Sequence, residues 1–243
     1  MERIMIILIQ GAMKEEINIL CDYFKPCKSE TIHNYDFYIC EYNDNKIIIS
    51  LTQSGIINTT IATMLAVEHF LPNIVINQGC AGGHKPNHNL GDIIIGTKSV
   101  YINDFKTLKK DKGKGSSSLD WFPNPKRSYE SFSSKSLLDV AKNLSHDKNL
   151  TFGILGSGDL HSKEFDRIEY LNSLFHQDCE DMESIAAMKV CDIFGIEKIA
   201  MRIISNNELI NLDFNKSVCK NMQNFTIRFI DLLIKNYNLL KLC

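Results

Sequence analysis

The sequence predicts a single α/β domain with a central mixed, twisted sheet flanked by helices. Three observations lead there. Short apolar, β-branched runs alternate with segments of helical period along most of the chain. At 243 residues, the chain suits one such domain with a full core, although length alone admits two small ones. A composition of 44% hydrophobic and 23% charged residues is ordinary for a globular protein.

The first apolar run, Ile4–Ile9, reads as a buried strand; it is too short to span a bilayer, and no small-residue cleavage site follows it. Met13–Phe24 repeats apolar residues at helical spacing through Ile17, Leu20, Cys21 and Phe24. Phe37–Cys40 and Lys46–Leu51 read as strands joined by a turn at Asn43-Asp44-Asn45. Asn58–Phe70 reads as a helix stopped before Pro72. Ile74–Asn77 reads as a strand ending in the glycine-rich run Gln78-Gly79-Cys80-Ala81-Gly82-Gly83-His84, taken as a loop, and Asp92–Thr97 as another strand. Beyond residue 130 the expected elements are helix Ser134–Leu144, strand Thr151–Leu155, helices Lys163–Phe175 and Ser184–Phe194, strand Lys198–Ile204 and a terminal helix Phe214–Tyr237.

Between about 105 and 128 the alternation breaks. This stretch carries lysines and Ser116-Ser117-Ser118, which predicts a flexible, solvated loop. Its aromatics Phe105, Trp121 and Phe122 also suit a flap over a site. They do not interleave on a sheet face, and the net charge is −2, so neither a nucleic acid nor a membrane surface is expected as a partner. Eight cysteines are scattered at mostly apolar positions with no Cys-x-x-Cys pair and no zinc-ligand spacing. That pattern suits free thiols in a reducing, cytoplasmic setting, and no metal or cofactor is expected.

Four segments near strand ends carry candidate chemistry, and each has a plainer reading. Glu15-Glu16 could complement a helix dipole. The glycines at 79, 82 and 83 could be tight turns, or could let backbone approach a ligand. Glu180-Asp181-Met182-Glu183 could be helix-start acids, or could supply a carboxylate that accepts from both hydroxyls of a ribose diol. Arg202 to Glu208 ends a buried strand in Ser205-Asn206-Asn207, either a turn cluster or polar groups at the sheet's carboxyl edge, where ligands of such folds bind.

Together, the order and spacing of these segments resemble the methylthioadenosine/S-adenosylhomocysteine nucleosidases, within the larger nucleoside phosphorylase superfamily. The resemblance covers nearly the whole chain: Gly11-Ala12-Met13-Lys14-Glu15-Glu16, Ser54-Gly55-Ile56, Asn77 to Gly83, Gly91-Asp92-Ile93, Ser157-Gly158-Asp159 and Met182-Glu183. It implies a nucleoside phosphorylase-like fold, a purine nucleoside as small-molecule partner, a homodimer, and hydrolysis to free base and thioribose. By resemblance, Glu16 deprotonates the attacking water, Arg202 supports it, and Cys80 replaces the hydroxyl residue that touches it. Glu183 holds the ribose with Met182 beneath the sugar. Ile56 lines the 5′-substituent pocket, and His161 stacks on the purine. Ala81, Gly82 and Ser205 complete the substrate contacts.

One position departs from the pattern. Asn206 stands where the family carries an Asp that protonates purine N7. An amide has no proton to give, but it can face either a 6-amino or a 6-oxopurine. The alternatives are therefore a 6-oxopurine nucleosidase, a purine nucleoside phosphorylase, or a weakly active purine-binding homologue. Glu16 argues against phosphorolysis, because it would repel a phosphate dianion.

Overall fold

The isoleucine- and valine-rich runs assemble into one ten-stranded sheet between two layers of helices, in a computed structural model that describes residues 4–115, 120–123, 129–144 and 149–241. The strands are Ile6–Gly11 (β1), Lys28–Ile32 (β2), Tyr35–Tyr42 (β3), Asn45–Leu51 (β4), Ile74–Gly83 (β5), Ile93–Tyr101 (β6), Phe105–Thr107 (β7), Trp121–Pro123 (β8), Glu130–Phe132 (β9), Leu150–Ser157 (β10), Cys179–Asp181 (β11) and Glu197–Asn206 (β12). The helices are Asn18–Phe24 (α1), Ile56–Phe70 (α2), Lys135–Lys142 (α3), Phe165–Phe175 (α4), Ser184–Phe194 (α5) and Cys219–Lys241 (α6).

The order across the sheet is β11-β10-β6-β12-β5-β1-β4-β3-β2, with β9 on β6. β1 runs parallel to both neighbours, β4 and β5. A parallel strand covered on both faces is apolar throughout, and Ile7, Leu8 and Ile9 are fully buried. Alternation sends them to opposite sides. Ile7 and Ile9 join Leu20 of α1, Leu137 of α3, and Phe225 and Phe229 of α6. Leu8 joins Ala62 and Ala66 of α2 and Cys191 of α5.

At the other end the sheet curls back on itself. β11 pairs in parallel with β10 and antiparallel with β5, so β5, β12, β6, β10 and β11 close into a ring. The glycine run that was expected to be a loop is the last half of β5, which continues unbroken to Gly83. These glycines serve close approach more than turning. A Cβ on Gly79 would lie 2.7 Å from Glu16 Oε1, and one on Gly83 2.7 Å from Asn207 Nδ2.

Other differences from the expected elements have local causes. The helix expected from Met13 opens as a 3-10 turn, Lys14–Glu16, and becomes α-helical at Asn18. The terminal helix begins at Cys219, after 3-10 turns at Glu208–Ile210 and Lys216–Val218. β2 is an exposed edge strand without an apolar face, and β11 is three residues long and two-thirds acidic. Neither carries the apolar run that reveals a strand. The turn at Asn43-Asp44 is present, with φ of 48° and 60°, the left-handed pair that suits a two-residue hairpin. Part of the expected loop at 105–128 is a small hairpin of β7 and β8; its residues 116–119 and 124–128 lie outside the described residues. Among the described residues no helix is long and apolar enough to cross a membrane.

Candidate active site

A cavity of about 280 Å³ opens where β5, β11 and β12 end and α5 begins. Of the residues singled out in the sequence, Glu16, Cys80, Ala81 and Gly82 line it on one side. His161, Met182, Glu183, Ser205 and Asn206 line the rest. Arg202 lies buried beneath it. Ile56, expected from the resemblance to line the 5′-substituent pocket, is the first residue of α2 and is not among the residues that line this cavity.

Glu16 is placed by the 3-10 turn that follows β1. Its Oε2 accepts from the backbone N–H of Ala12 at 2.7 Å and of Met13 at 3.2 Å, and its Oε1 from the N–H of Cys80 at 2.8 Å. The first two bonds are those of a helix-start acid, as the plainer reading holds. The third crosses to β5, and only a glycine at 79 leaves room for it. Burial pushes the Glu16 carboxyl above its ordinary range, against the pull of these amides and of Arg202.

Arg202 is 1% exposed on β12. Its Nη1 donates to the Asn77 and Met201 carbonyls, and its Nη2 to Asn77 Oδ1 at 2.6 Å. Nε lies 3.1 Å from Asp181 Oδ2, and Nη2 lies 3.7 Å from Glu183 Oε2. Burial would lower its pKa, but Asp181, Glu183 and Glu16 prevail and raise it. Asp181 is the hub that reading from sequence passed over as a helix-start acid. Its Oδ1 accepts from Ser157 Oγ at 2.7 Å and from the N–H groups of Glu183 and Ser184, both at 2.9 Å. Glu183 accepts from the Gly55 N–H at 3.1 Å, which ties α2 to the cavity wall.

A register shift between Ile204 and Asn206 interrupts the β12–β5 ladder. Ser205 is buried there, its one hydroxyl proton within reach of two acceptors, the Ala81 carbonyl at 3.2 Å and Asn206 Oδ1 at 3.1 Å. Asn206 pairs with Gly82, and a Cβ on Gly82 would lie 3.1 Å from Asn206 Nδ2. Asn207, fully buried, donates to the carbonyls of Lys85 and His88, both at 2.8 Å. It is a structural clamp on the segment after β5.

On the far side of Gly82 stands Glu180, its partner in β11. Glu180 is buried and lines the cavity. Its Oε1 accepts from Ser162 Oγ at 2.9 Å and its Oε2 from the Ser162 N–H at 2.8 Å, with His84 Nε2 at 3.3 Å. The sequence showed only an acid next to a helix. The pairing across Gly82 is what brings Glu180 opposite Asn206.

Cys80 and Cys219 come together although 139 positions apart in sequence. Their sulfurs and a Glu16 oxygen all lie within 4.8 Å of one another. A hydrogen bond with Cys219, and then burial, push the Cys80 thiol well above its ordinary range. At neutral pH it is a protonated thiol and no nucleophile.

Burial pushes Glu183 up to about 7. Between the ordinary value of 4.5 and that raised one, the folded chain binds a proton that the unfolded chain releases. Stability from this group is therefore full below about 4.5 and lost as pH rises through about 7, by on the order of 3 kcal/mol. Urea unfolding at about pH 5 and about pH 8 measures the loss. Glu183→Gln shrinks it, and an unchanged gap between the two pH values in the variant would contradict the assignment.

The chain matches the phosphorylase superfamily over residues 6–235. It is 28% identical over 205 residues to a 5′-methylthioadenosine/S-adenosylhomocysteine nucleosidase of Geobacillus sp. (strain WCH70), covering 82% of this chain and 84% of that one. It is 29% identical over 216 residues to the protein of that name from Exiguobacterium sp. (strain ATCC BAA-1283 / AT1b), covering 86% and 88%. In fold it is similar to the Helicobacter pylori 5′-methylthioadenosine/S-adenosylhomocysteine nucleosidase, with TM-score 0.81, 22% identity and 95% and 99% coverage. It is equally similar to the futalosine hydrolase of Helicobacter pylori, with TM-score 0.80, 22% identity and 94% and 98% coverage. The similarity seen in the motifs thus extends over most of the chain, and the chain belongs to the phosphorylase superfamily.

Proposed function

We propose that the chain is a purine nucleosidase that hydrolyses the N-glycosidic bond of 5′-methylthioadenosine/S-adenosylhomocysteine-type nucleosides to free base and thioribose. The observation that carries this reading is the pair of buried carboxylates, Glu16 and Glu183, held in one cavity around the charge of Arg202. Glu16 accepts a proton from water, and three backbone amides fix its orientation. Its burial-raised basicity suits a general base. Glu183 accepts from the ribose hydroxyls, with Met182 under the sugar and His161 against the base. Water is favoured over phosphate as nucleophile, because the buried cation Arg202 spends its charge on Asp181 and Glu183 and its Nη donors on Asn77 and Met201. The matched relatives carry the same name as this reaction. The described cysteines are free thiols, which suits a cytoplasmic enzyme in nucleoside catabolism and methionine salvage.

A second reading concerns the base. Gly82 makes a flat floor with Glu180 on one side and Asn206 on the other. A carboxylate offers roughly four lone-pair sites; Ser162 occupies one on each oxygen of Glu180 and His84 Nε2 stands 3.3 Å from Oε2, which leaves a site on Oε1. The remaining site would accept the N1–H of a 6-oxopurine, whereas the bare N1 of adenine has no hydrogen to give. Asn206 would donate from its amide to O6 and accept from a protonated N7. This pair favours a hypoxanthine-type base on the same hydrolytic machinery.

We further propose a homodimer that closes the mouth of the cavity. Ile57 and Ile61 lie one turn apart on α2, 70% and 41% exposed. The α2 start is tied to the segment carrying the cavity residue Leu160 by the Ile56 N–H bond to Asp159. The result is an apolar rim beside the site.

Three measurements test these statements. Glu16→Gln lowers kcat by ~10²–10⁴-fold while a nucleoside analogue still binds; a wild-type kcat would remove Glu16 from the reaction. A panel of methylthioadenosine, S-adenosylhomocysteine, adenosine, inosine and futalosine, with and without phosphate, reads the base and the nucleophile. On that panel Asn206→Asp moves the kcat/KM ratio toward methylthioadenosine and Glu180→Gln lowers it for inosine-type substrates; a ratio unmoved by both shows that neither residue reads the base. In sedimentation, Ile57→Glu with Ile61→Glu takes the protein from dimer to monomer, and a wild type already monomeric rejects the dimer.

A further inference from the structure

We propose that Cys80, Cys219 and Glu16 form a binding site for a soft divalent cation, zinc by its ligand set, in the wall of the cavity. Their three ligand atoms lie within 4.8 Å of one another, in the one such cluster among the described residues. Tetrahedral zinc, with Zn–S of about 2.3 Å and Zn–O of about 2.0 Å, sets its ligands roughly 3.5–3.8 Å apart. The cluster therefore needs to contract by only ~1 Å. Two sulfurs and one oxygen select zinc over magnesium or calcium, which take oxygen ligands.

The supports are already in place. Cys80 is held by the β5–β12 ladder, where it pairs with Ile203. Cys219 opens α6, whose Gln223 is fixed to the Ile19 N–H and to the Glu15 carbonyl. Glu16 spends three lone pairs on backbone amides and keeps one of its roughly four. Cys80 and Glu16 line the cavity, so a cation can enter from it and water can supply the fourth ligand, as in an open zinc site. Binding displaces the two thiol protons to solvent. Two thiolates, one carboxylate and zinc leave one net negative charge, within reach of the Arg202 guanidinium that acts on both Cys80 and Glu16.

The cation would occupy the carboxylate that the proposed hydrolysis uses, so zinc would inhibit turnover. The decisive readout does not depend on that role for Glu16. The reduced, chelator-stripped protein is titrated with cobalt(II) chloride and then with zinc chloride. One equivalent of cobalt is expected to give a thiolate-to-cobalt charge-transfer band and the visible bands of a tetrahedral ion, and zinc to bleach both. Cys219→Ser removes roughly half of the charge-transfer intensity, as one of two thiolates is lost. It also weakens zinc binding by at least the ~10–100-fold that losing a mere supporting partner costs. X-ray absorption of the zinc-loaded wild type requires no variant; it reads two sulfurs at about 2.3 Å in a mixed sulfur–oxygen shell. A shell without sulfur, no charge-transfer band at saturating cobalt, or a band unchanged in Cys219→Ser overturns the proposal.

Discussion

A fully buried guanidinium surrounded by carboxylates is the constraint around which the rest of the molecule is organised. Arg202 sits in the middle of the β5–β12 ladder, and its charge has to be matched where it lies, because a lone buried cation costs far more than the fold can spare. Asp181 and Glu183 match it from β11 and the start of α5, and Asn77 from the neighbouring strand. Those contacts in turn fix where β11 lies, and β11 is the strand that closes the ring. Breaking one partner leaves the other charge stranded in the interior, so the cluster behaves as a unit.

The cavity follows from that closure. Its floor is backbone, since β5 carries glycines where Glu16, Asn206 and Asn207 press against it. Its walls are side chains whose rotamers are already set by hydrogen bonds to main chain. Glu16 is held by three amides and Asp181 by two amides and a hydroxyl. Such groups need little reorganisation when charge develops on a bound molecule, which is the condition under which electrostatic stabilisation is most effective.

How much of this was legible in the sequence depended on the range of the interaction. The apolar runs of β1 and β4 and the helical spacing of α2 and α5 are local signals, and those elements stand where the periodicity put them. β2 and β11 hold their places by pairing with distant strands, and no apolar pattern marks them. The glycines after Asn77 looked like a loop because a glycine run is the same in a turn as in a strand that must clear large neighbours. Glu16, Cys80, Glu183 and Asn206 stood out as members of a spaced set, and the fold does bring them to one cavity. Asp181 and Glu180 looked like ordinary helix-start acids until β11 paired with β5. The meeting of Cys80 with Cys219 depends on where α6 begins against the sheet, which no spacing rule contains.

The irregularity near the end of β12 has a bearing on how this protein can vary through descent. Alternate residues of a strand face opposite sides, and the shift between Ile204 and Asn206 resets that alternation just before the cavity. Ser205 is thereby buried against the Ala81 carbonyl and Asn206 set beside Gly82, both on the cavity wall. An exchange of one amino acid for another at 206 leaves this geometry intact and changes only the chemistry presented. Loss or gain of a single codon between 202 and 206 would change which face the last residues of the strand present and displace Asn207 from its contacts with Lys85 and His88. Lineages of this protein can therefore explore new ligands here by point replacement, while the count of residues along the strand stays fixed.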